Sequence, residues 1–198
     1  SILKILDDGG IDKWKKRVGE KEADRIVKKS SSRGNDLHNY SEKYLNNELV
    51  RNEMKGQGRI LFNRAKKYLD EIESVVALEV PLYSESLKYA GRVDCIGILE
   101  QQLAIIDHKN SKRPFNDQPW SRRKLFKYML QCYGYARALK EMKGLEATLG
   151  CLIVSNFETL NSDMIKFDIN SLKEEFEIVI NAFYNNGIGL EKSLYYNL

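Results

Sequence analysis

Two apolar, strand-like stretches at residues 89–99 and 103–109 are separated only by Glu100, Gln101 and Gln102. No crossover helix fits in so short a gap, so the pair reads most simply as an antiparallel hairpin. With Glu100-Gln101 as a two-residue turn, Leu99 pairs with Gln102 and Asp94 lies opposite Asp107. The turn lacks the Asn-Gly or Gly-X signal, but a slip of one residue would still leave the aspartates close. Side chains directly opposite each other have Cβ atoms about 4.5–5.5 Å apart. Two carboxylates that near, on strands of Val, Ile, Leu and Cys, repel each other and are poorly solvated. Either one is protonated or a cation lies between them. Lys109, two residues beyond Asp107, projects from the same strand face.

That face offers two acids and one ammonium group at the end of apolar strands. Hard divalent cations are held by one or two carboxylates together with substrate phosphate oxygens. A lysine beside such an ion can orient an attacking water or help deprotonate it. These are the requirements of metal-assisted phosphodiester hydrolysis. A structural Asp–Lys–Asp network has the same spacing, so the residues alone leave both readings open.

The rest of the chain supplies helices before, between and after strands. Residues 11–18 and 20–48 carry apolar side chains at helical spacing. The second stretch is expected to weaken or break at Ser30-Ser31-Ser32-Arg33-Gly34. Residues 58–73 form a further helix striped by Ile60, Leu61, Ala65, Leu69 and Ile72. Residues 75–83 read as a strand in which Pro81 calls for an edge position or a bulge. Residues 111–120 are polar and hold two of the three prolines, hence a loop. A long helix at 120–142, a buried strand at 148–157 and a last helix at 172–184 complete the order. The expected architecture is one α/β domain with a mixed central sheet flanked by helices. It divides into an N-terminal helical part (1–72), a sheet core with its crossing helix (73–160), and a C-terminal helix and tail (161–198).

Composition narrows the classes. At 198 residues the chain can bury a sizeable core in one domain. Its 42% hydrophobic and 30% charged residues argue against disorder. No apolar run approaches the roughly 18 residues of a membrane span. Cys95, Cys132 and Cys151 form no CxxC or Cys/His spacing, which disfavours a disulfide framework or structural zinc and suits a reducing, intracellular setting. No charged-then-apolar leader follows Ser1, and the chain reads as starting inside a longer natural sequence. The net charge of +4 hides local contrasts. From Lys109 to Lys127 there are seven basic side chains against Asp117, with Phe115 and Trp120 interleaved. From Asp12 to Arg33 there are nine basic against four acidic, with Trp14 among them. A basic run is usually a solvated face. Two of them flanking a carboxylate centre, with aromatics for stacking, suit a groove for single-stranded nucleic acid.

Several motifs then converge. Gly91-Arg92-Val93-Asp94 followed by Asp107-His108-Lys109 resembles the GxxD…DxK signature of the PD-(D/E)XK nuclease superfamily, in its RecB-type branch. Arg33-Gly34-Asn35-Asp36-Leu37-His38 is similar to that branch's RG-x-x-x-H helix, and Gln131-Cys132-Tyr133-Gly134-Tyr135 to its Q-x-x-x-Y helix. The stretch Ile11-Asp12-Lys13-Trp14-Lys15-Lys16-Arg17-Val18-Gly19 narrows the resemblance to the mitochondrial genome maintenance exonucleases and their bacteriophage relatives. Val93 stands where the superfamily's name has proline, and Asn110-Ser111 where Thr-Ser is frequent.

The resemblance implies the PD-(D/E)XK nuclease fold and a metal-dependent DNA exonuclease acting on single strands or duplex ends. The competing readings are a structure- or site-specific endonuclease of the same fold and a non-catalytic nucleic-acid-binding module. His38, Asp94, Asp107 and the His108 backbone carbonyl would hold Mg²⁺ or Mn²⁺, the imidazole admitting the softer ion. The His108 side chain would point to the other strand face. Glu79 would be an additional acid, with an edge-strand salt bridge as the plain alternative. Lys109 would position and activate the water. Gln131 and Tyr135, one helical turn apart, would organise the lysine or contact DNA, unless they form a buried Tyr with its Gln partner. Arg33, Ser111, Lys112 and Arg113, together with Trp120, Arg122 and Lys124, would bind DNA. Trp14 and Trp120 suit the core equally well. Three cysteines cannot build the four-cysteine iron–sulfur cluster of some relatives. DNA would be the partner, along with replication or recombination proteins, and no membrane. The Lys- and Asn-rich composition favours a bacteriophage protein in host cytoplasm over a mitochondrial matrix enzyme.

Overall fold

Strands that follow one another in the chain also lie side by side. In the computed structural model, which describes residues 2–6, 10–49, 51–116 and 118–185, five strands form one mixed sheet in the order β1-β2-β3-β4-β5. The first three are an antiparallel meander: β1 (Ser74–Ser84), β2 (Tyr89–Leu99) and β3 (Gln102–Ser111). The chain then crosses the sheet in α4 (Pro119–Lys143) and returns as β4 (Leu149–Asn156), parallel to β3. Proline in the first turn and Gly144 in the left-handed conformation at the end (φ 68) bound this helix, as the geometry of helix termini favours. β5 (Asn161–Asp168) pairs back on β4, and α5 (Lys173–Tyr184) closes the described chain.

The β2–β3 hairpin has the expected register, from Leu99 opposite Gln102 to Cys95 opposite Ile106. Its turn residues Glu100 and Gln101 both have positive φ (52 and 60), the combination a tight two-residue hairpin requires. Ion pairing and a main-chain bond hold these non-glycine residues there. Lys166 Nζ donates to Glu100 Oε1 at 2.8 Å, and Gln101 N donates to Glu73 Oε1 at 3.0 Å. β1 is an edge strand with a register shift between Val75 and Ala77, so Pro81 removes no central ladder bond.

Two expectations are corrected. α2 (Glu20–Leu45) runs unbroken for 26 residues through the three serines and Gly34. Propensity losses of a few tenths of a kcal/mol per residue are outweighed because Arg33, Leu37 and Ser41, spaced by four, form one buried face. Asn110 on β3 adds a clasp, its Nδ2 donating to Ser30 O at 2.9 Å. Secondly, residues 161–168 are a strand and not part of a helix and tail. Asn-Ser-Asp-Met-Ile-Lys-Phe-Asp has no sustained apolar run. Its strand form comes from eight residue pairs along β4.

The sheet separates two cores. On one side Ile96, Ile105, Leu130, Leu139, Leu152 and Val179 pack with α4 and α5. On the other, Leu37, Leu61, Phe62, Ala65, Ile106 and Ile153 pack with α2 and α3 (Gly56–Leu69). The three cysteines are free and buried. The short α1 (Gly10–Val18) has no buried residue, and Trp14 is half-buried. Among the described residues no helix is long and apolar enough to cross a membrane. At Gly97 in β2 the sheet meets the chain entering β1. A Cβ there would lie 2.9 Å from Ser74 O and 3.0 Å from Ile72 Cγ2. Gly97→Ala is therefore expected to lower unfolding free energy by about 1–3 kcal/mol, measurable as a reduced urea midpoint with an unchanged m-value.

Candidate metal centre

The site starts from a break in strand alternation. Residues two apart on a strand normally share a face. Here Leu78 and its partner Cys95 pack with the α2/α3 core, whereas Val80 and its partner Val93 pack with the α4 core. Glu79 and Asp94 sit between these pairs, and Glu79 has φ 49. That conformation costs a non-glycine residue about 1–2 kcal/mol. It marks where the two strands exchange faces, so both carboxylates are aimed at the end of the sheet where α2 crosses.

His38 on α2 meets them. Its Nδ1 lies 3.3 Å from Asp94 Oδ1. The other oxygen, Asp94 Oδ2, accepts the main-chain N–H of His108 at 2.7 Å. Glu79 Oε2 pairs with Arg92 Nε at 2.8 Å, the edge-strand ion pair that was the plain alternative for this residue. Even so, His38, Glu79 and Asp94 each offer one ligand atom, and the three atoms lie within 4.8 Å of one another. One imidazole and two carboxylates are a donor set that suits a divalent cation.

Asp107 stands outside this trio. It is 1% exposed, and its Oδ2 lies 2.5 Å from Lys109 Nζ in an ion pair that lacks hydrogen-bond alignment. Lys109 in turn lies 4.8 Å over the Tyr128 ring of α4. Asp94 and Asp107 thus follow each other in register, yet one carboxylate is engaged by α2 and the other by Lys109. His108, between Asp107 and Lys109, is 3% exposed. It packs edge-on against His38 with ring centroids 5.8 Å apart, its Nδ1 without a hydrogen-bond partner.

The charges are mutually dependent. Burial raises the Asp94 carboxyl, but hydrogen bonding and charge from His38, with His108 and Lys109, outweigh it and hold it below the usual range. Burial dominates at Asp107, helped by Asp94, and raises it despite Lys109. Burial works against the Lys109 ammonium, yet Asp107 and Asp94 more than compensate and keep it protonated. Burial lowers His108 to about 4, so it is neutral at ordinary pH. His38 is opposed by burial and raised overall by Asp94. Glu79 is raised by burial and by Asp94. Two carboxylates so close that Asp94 raises Glu79, with an imidazole beside them, are an arrangement that a bound cation would relieve.

The Q-x-x-x-Y pair is assembled on α4, with Gln131 Nε2 donating to Tyr135 Oη at 2.7 Å. Gly91 leaves room for that tyrosine, since a Cβ there would lie 2.7 Å from Tyr135 Cε1. Arg33 is buried at 8% exposure. It stacks 3.8 Å over Phe157 and donates from Nη1 to Gln57 Oε1 at 3.2 Å, while its Nε has no partner. Ser111 is buried, its hydroxyl donating to Arg113 O at 2.8 Å. Lys112 and Arg113 share Glu158 at 3.2 and 2.9 Å. Trp120 is 53% exposed at the start of α4, and Arg122 is half-buried two residues on. Lys124 lies 5.7 Å from the Tyr128 ring and 6.0 Å from Phe115. Asp117 lies outside the described residues. Phe157, Gln57 and Glu158 carried no signal in the sequence. Phe157 and Glu158 become partners of the basic residues through the end of β4, and Gln57 through the start of α3.

No protein-family model matches the chain. Over 46 residues it is 44% identical to mitochondrial genome maintenance exonuclease 1 of Mus musculus, a stretch that spans 23% of this chain and 14% of the mouse protein. The similarity supports a link to nucleases.

Asp94 favours the protonated form of His38, and a metal takes the neutral imidazole, so wherever His38 is protonated a bound cation would displace its proton. Mn²⁺ affinity is expected to rise as pH increases from about 6 to about 8. Calorimetry in buffers of different ionisation enthalpy should detect the released proton, and His38→Gln should remove it.

Proposed function

We propose that this chain is a metal-dependent DNA exonuclease of the PD-(D/E)XK fold, in its RecB-type branch, acting on single strands or duplex ends. The observation that carries the reading is the His38–Glu79–Asp94 trio beside the buried Asp107–Lys109 pair. The similarity to a protein named as an exonuclease of mitochondrial genome maintenance supports DNA as the substrate. DNA would be the partner, with proteins of replication or recombination as further proposed ones.

His38, Glu79 and Asp94 would hold Mg²⁺ or Mn²⁺, with Asp107 and the His108 carbonyl as further ligands. When bound, the ion supplies Lewis acidity to the phosphodiester and neutralises charge on the leaving oxygen. Lys109 is kept protonated by Asp107 and Asp94, so it acts as a donor and a fixed positive charge. Its N–H groups orient the attacking water in line with the phosphorus and stabilise negative charge on the phosphoryl oxygens. Asp107 and the Tyr128 ring hold the ammonium in place. The Tyr135 hydroxyl accepts from Gln131, which leaves its own proton to donate to a phosphate oxygen. Lys112, Arg113, Arg122 and Lys124, with Trp120, would line the path of the strand, by charge and by stacking. Arg33 would hold α2 to the β4 end through Phe157.

EDTA should abolish cleavage and Mg²⁺ or Mn²⁺ should restore it, with linear single strands degraded and circular ones spared. Asp107→Ala and Lys109→Ala should each lower turnover by about 10²–10⁴-fold with an unchanged circular dichroism spectrum. Full activity in either folded variant, or cleavage in EDTA, refutes the assignment.

A further inference from the structure

A cavity of about 220 Å³ opens between β2 and α4, next to the Lys109 side of the site. Its walls include four aromatic rings, Tyr89, Tyr128, Tyr135 and Phe176. The rings are held in place. The Tyr89 hydroxyl donates to Gly134 O at 2.7 Å, and its ring meets Phe176 edge-on with centroids 5.7 Å apart. A Cβ on Gly134 would stand 3.2 Å from Phe176, so the glycine lets that ring approach α4. Tyr128 borders the cavity and also carries the Lys109 ammonium 4.8 Å from its ring. Gln131 and Tyr135, joined by a 2.7 Å hydrogen bond, bring an amide and a phenol to the same lining.

These features specify a ligand. The volume lies below the roughly 300–1,000 Å³ of pockets for drug-sized molecules, so it suits one flat ring system rather than a whole nucleotide. Aromatic walls favour stacking, and a donor and an acceptor at one side favour a heterocycle over a hydrocarbon. Tyr128, shared with Lys109, keeps such a ring close to the phosphate that the lysine would engage. We infer that this cavity is a base subsite, which takes one unpaired nucleobase of a single-stranded nucleic acid among Tyr89, Tyr128, Tyr135 and Phe176 while its phosphate reaches Lys109. The inference rests on the nuclease reading and deepens it: the strand is gripped by a base as well as by its backbone, and duplex must open locally to enter.

The test uses binding in EDTA, where no cleavage occurs. The probes are a fluorescein-labelled oligothymidylate and a strand of equal length built from abasic residues. The wild-type chain should bind the thymidylate at least about fivefold more tightly, the lower end of one base's stacking on aromatic side chains. Ala90→Phe places a ring in the cavity from an exposed strand position. Phe176→Leu removes one aromatic wall while keeping an apolar side chain. Both variants, if folded by circular dichroism, should reduce the ratio toward one and leave abasic-strand affinity unchanged. Equal binding of the two strands by wild type, binding of neither, or an intact ratio in both folded variants overturns the subsite. Cleavage with Mg²⁺ on the same preparations separates the two readings. Metal-dependent cleavage without base-dependent binding sinks the subsite and leaves the nuclease. Base-dependent binding lost in the variants, without any metal-dependent cleavage, sinks the nuclease and leaves the subsite.

Discussion

One carboxylate joins the parts of this fold that have to meet. Asp94 reaches His38 on α2 with one oxygen and the main-chain N–H of His108 on β3 with the other, while Glu79 on β1 stands beside it. Three strands and a helix therefore converge on a single side chain. The left-handed conformation at Glu79 is the backbone cost of that convergence. It lets residues two apart on each of two paired strands serve opposite cores, and it leaves the acids between them. An unstrained β1 would keep its alternation and could not do both.

Charge burial is the second constraint. Asp107 and Lys109 are enclosed next to apolar strands, where an unpaired ion is costly. They pair with each other, and the Tyr128 ring faces the ammonium. Paired ions of this kind are weak contributors to stability, and a hydrophobic pair of similar volume would serve the fold as well. The same ring faces the aromatic cavity, so the pair and the cavity are neighbours through one side chain.

Much of the site was legible before the fold. The hairpin register, the edge position of β1 and the shared face of Asp107 and Lys109 all follow from strand periodicity and a short turn. The alternation rule also limited the reading. It placed Asp94 and Asp107 together on one face, whereas the exchange of faces at Glu79 and Asp94 gives Asp94 to His38. A positive φ at a glutamate has no local signature. Nor has β5, whose polar residues become a strand by pairing with β4, or the unbroken α2, whose serines stay helical because one face is packed. Arg33 and Ser111 read as open basic and polar residues of a binding surface; the burial of Arg33 depends on Phe157 and Gln57, distant in sequence and without signal.

Local pattern already carries the chemistry: two aspartates, a lysine and two histidines at spacings that periodicity converts into neighbouring positions. It also determined the α/β class, because runs of apolar residues with periods of two and of three to four are local properties. Which of these groups share a centre depends on packing between distant segments. Glu79 joins His38 and Asp94, while Asp107 turns to Lys109, because a strained residue on an edge strand and a helix packed across the sheet end act together. Those are contacts between segments far apart in the chain, and no local pattern encodes them.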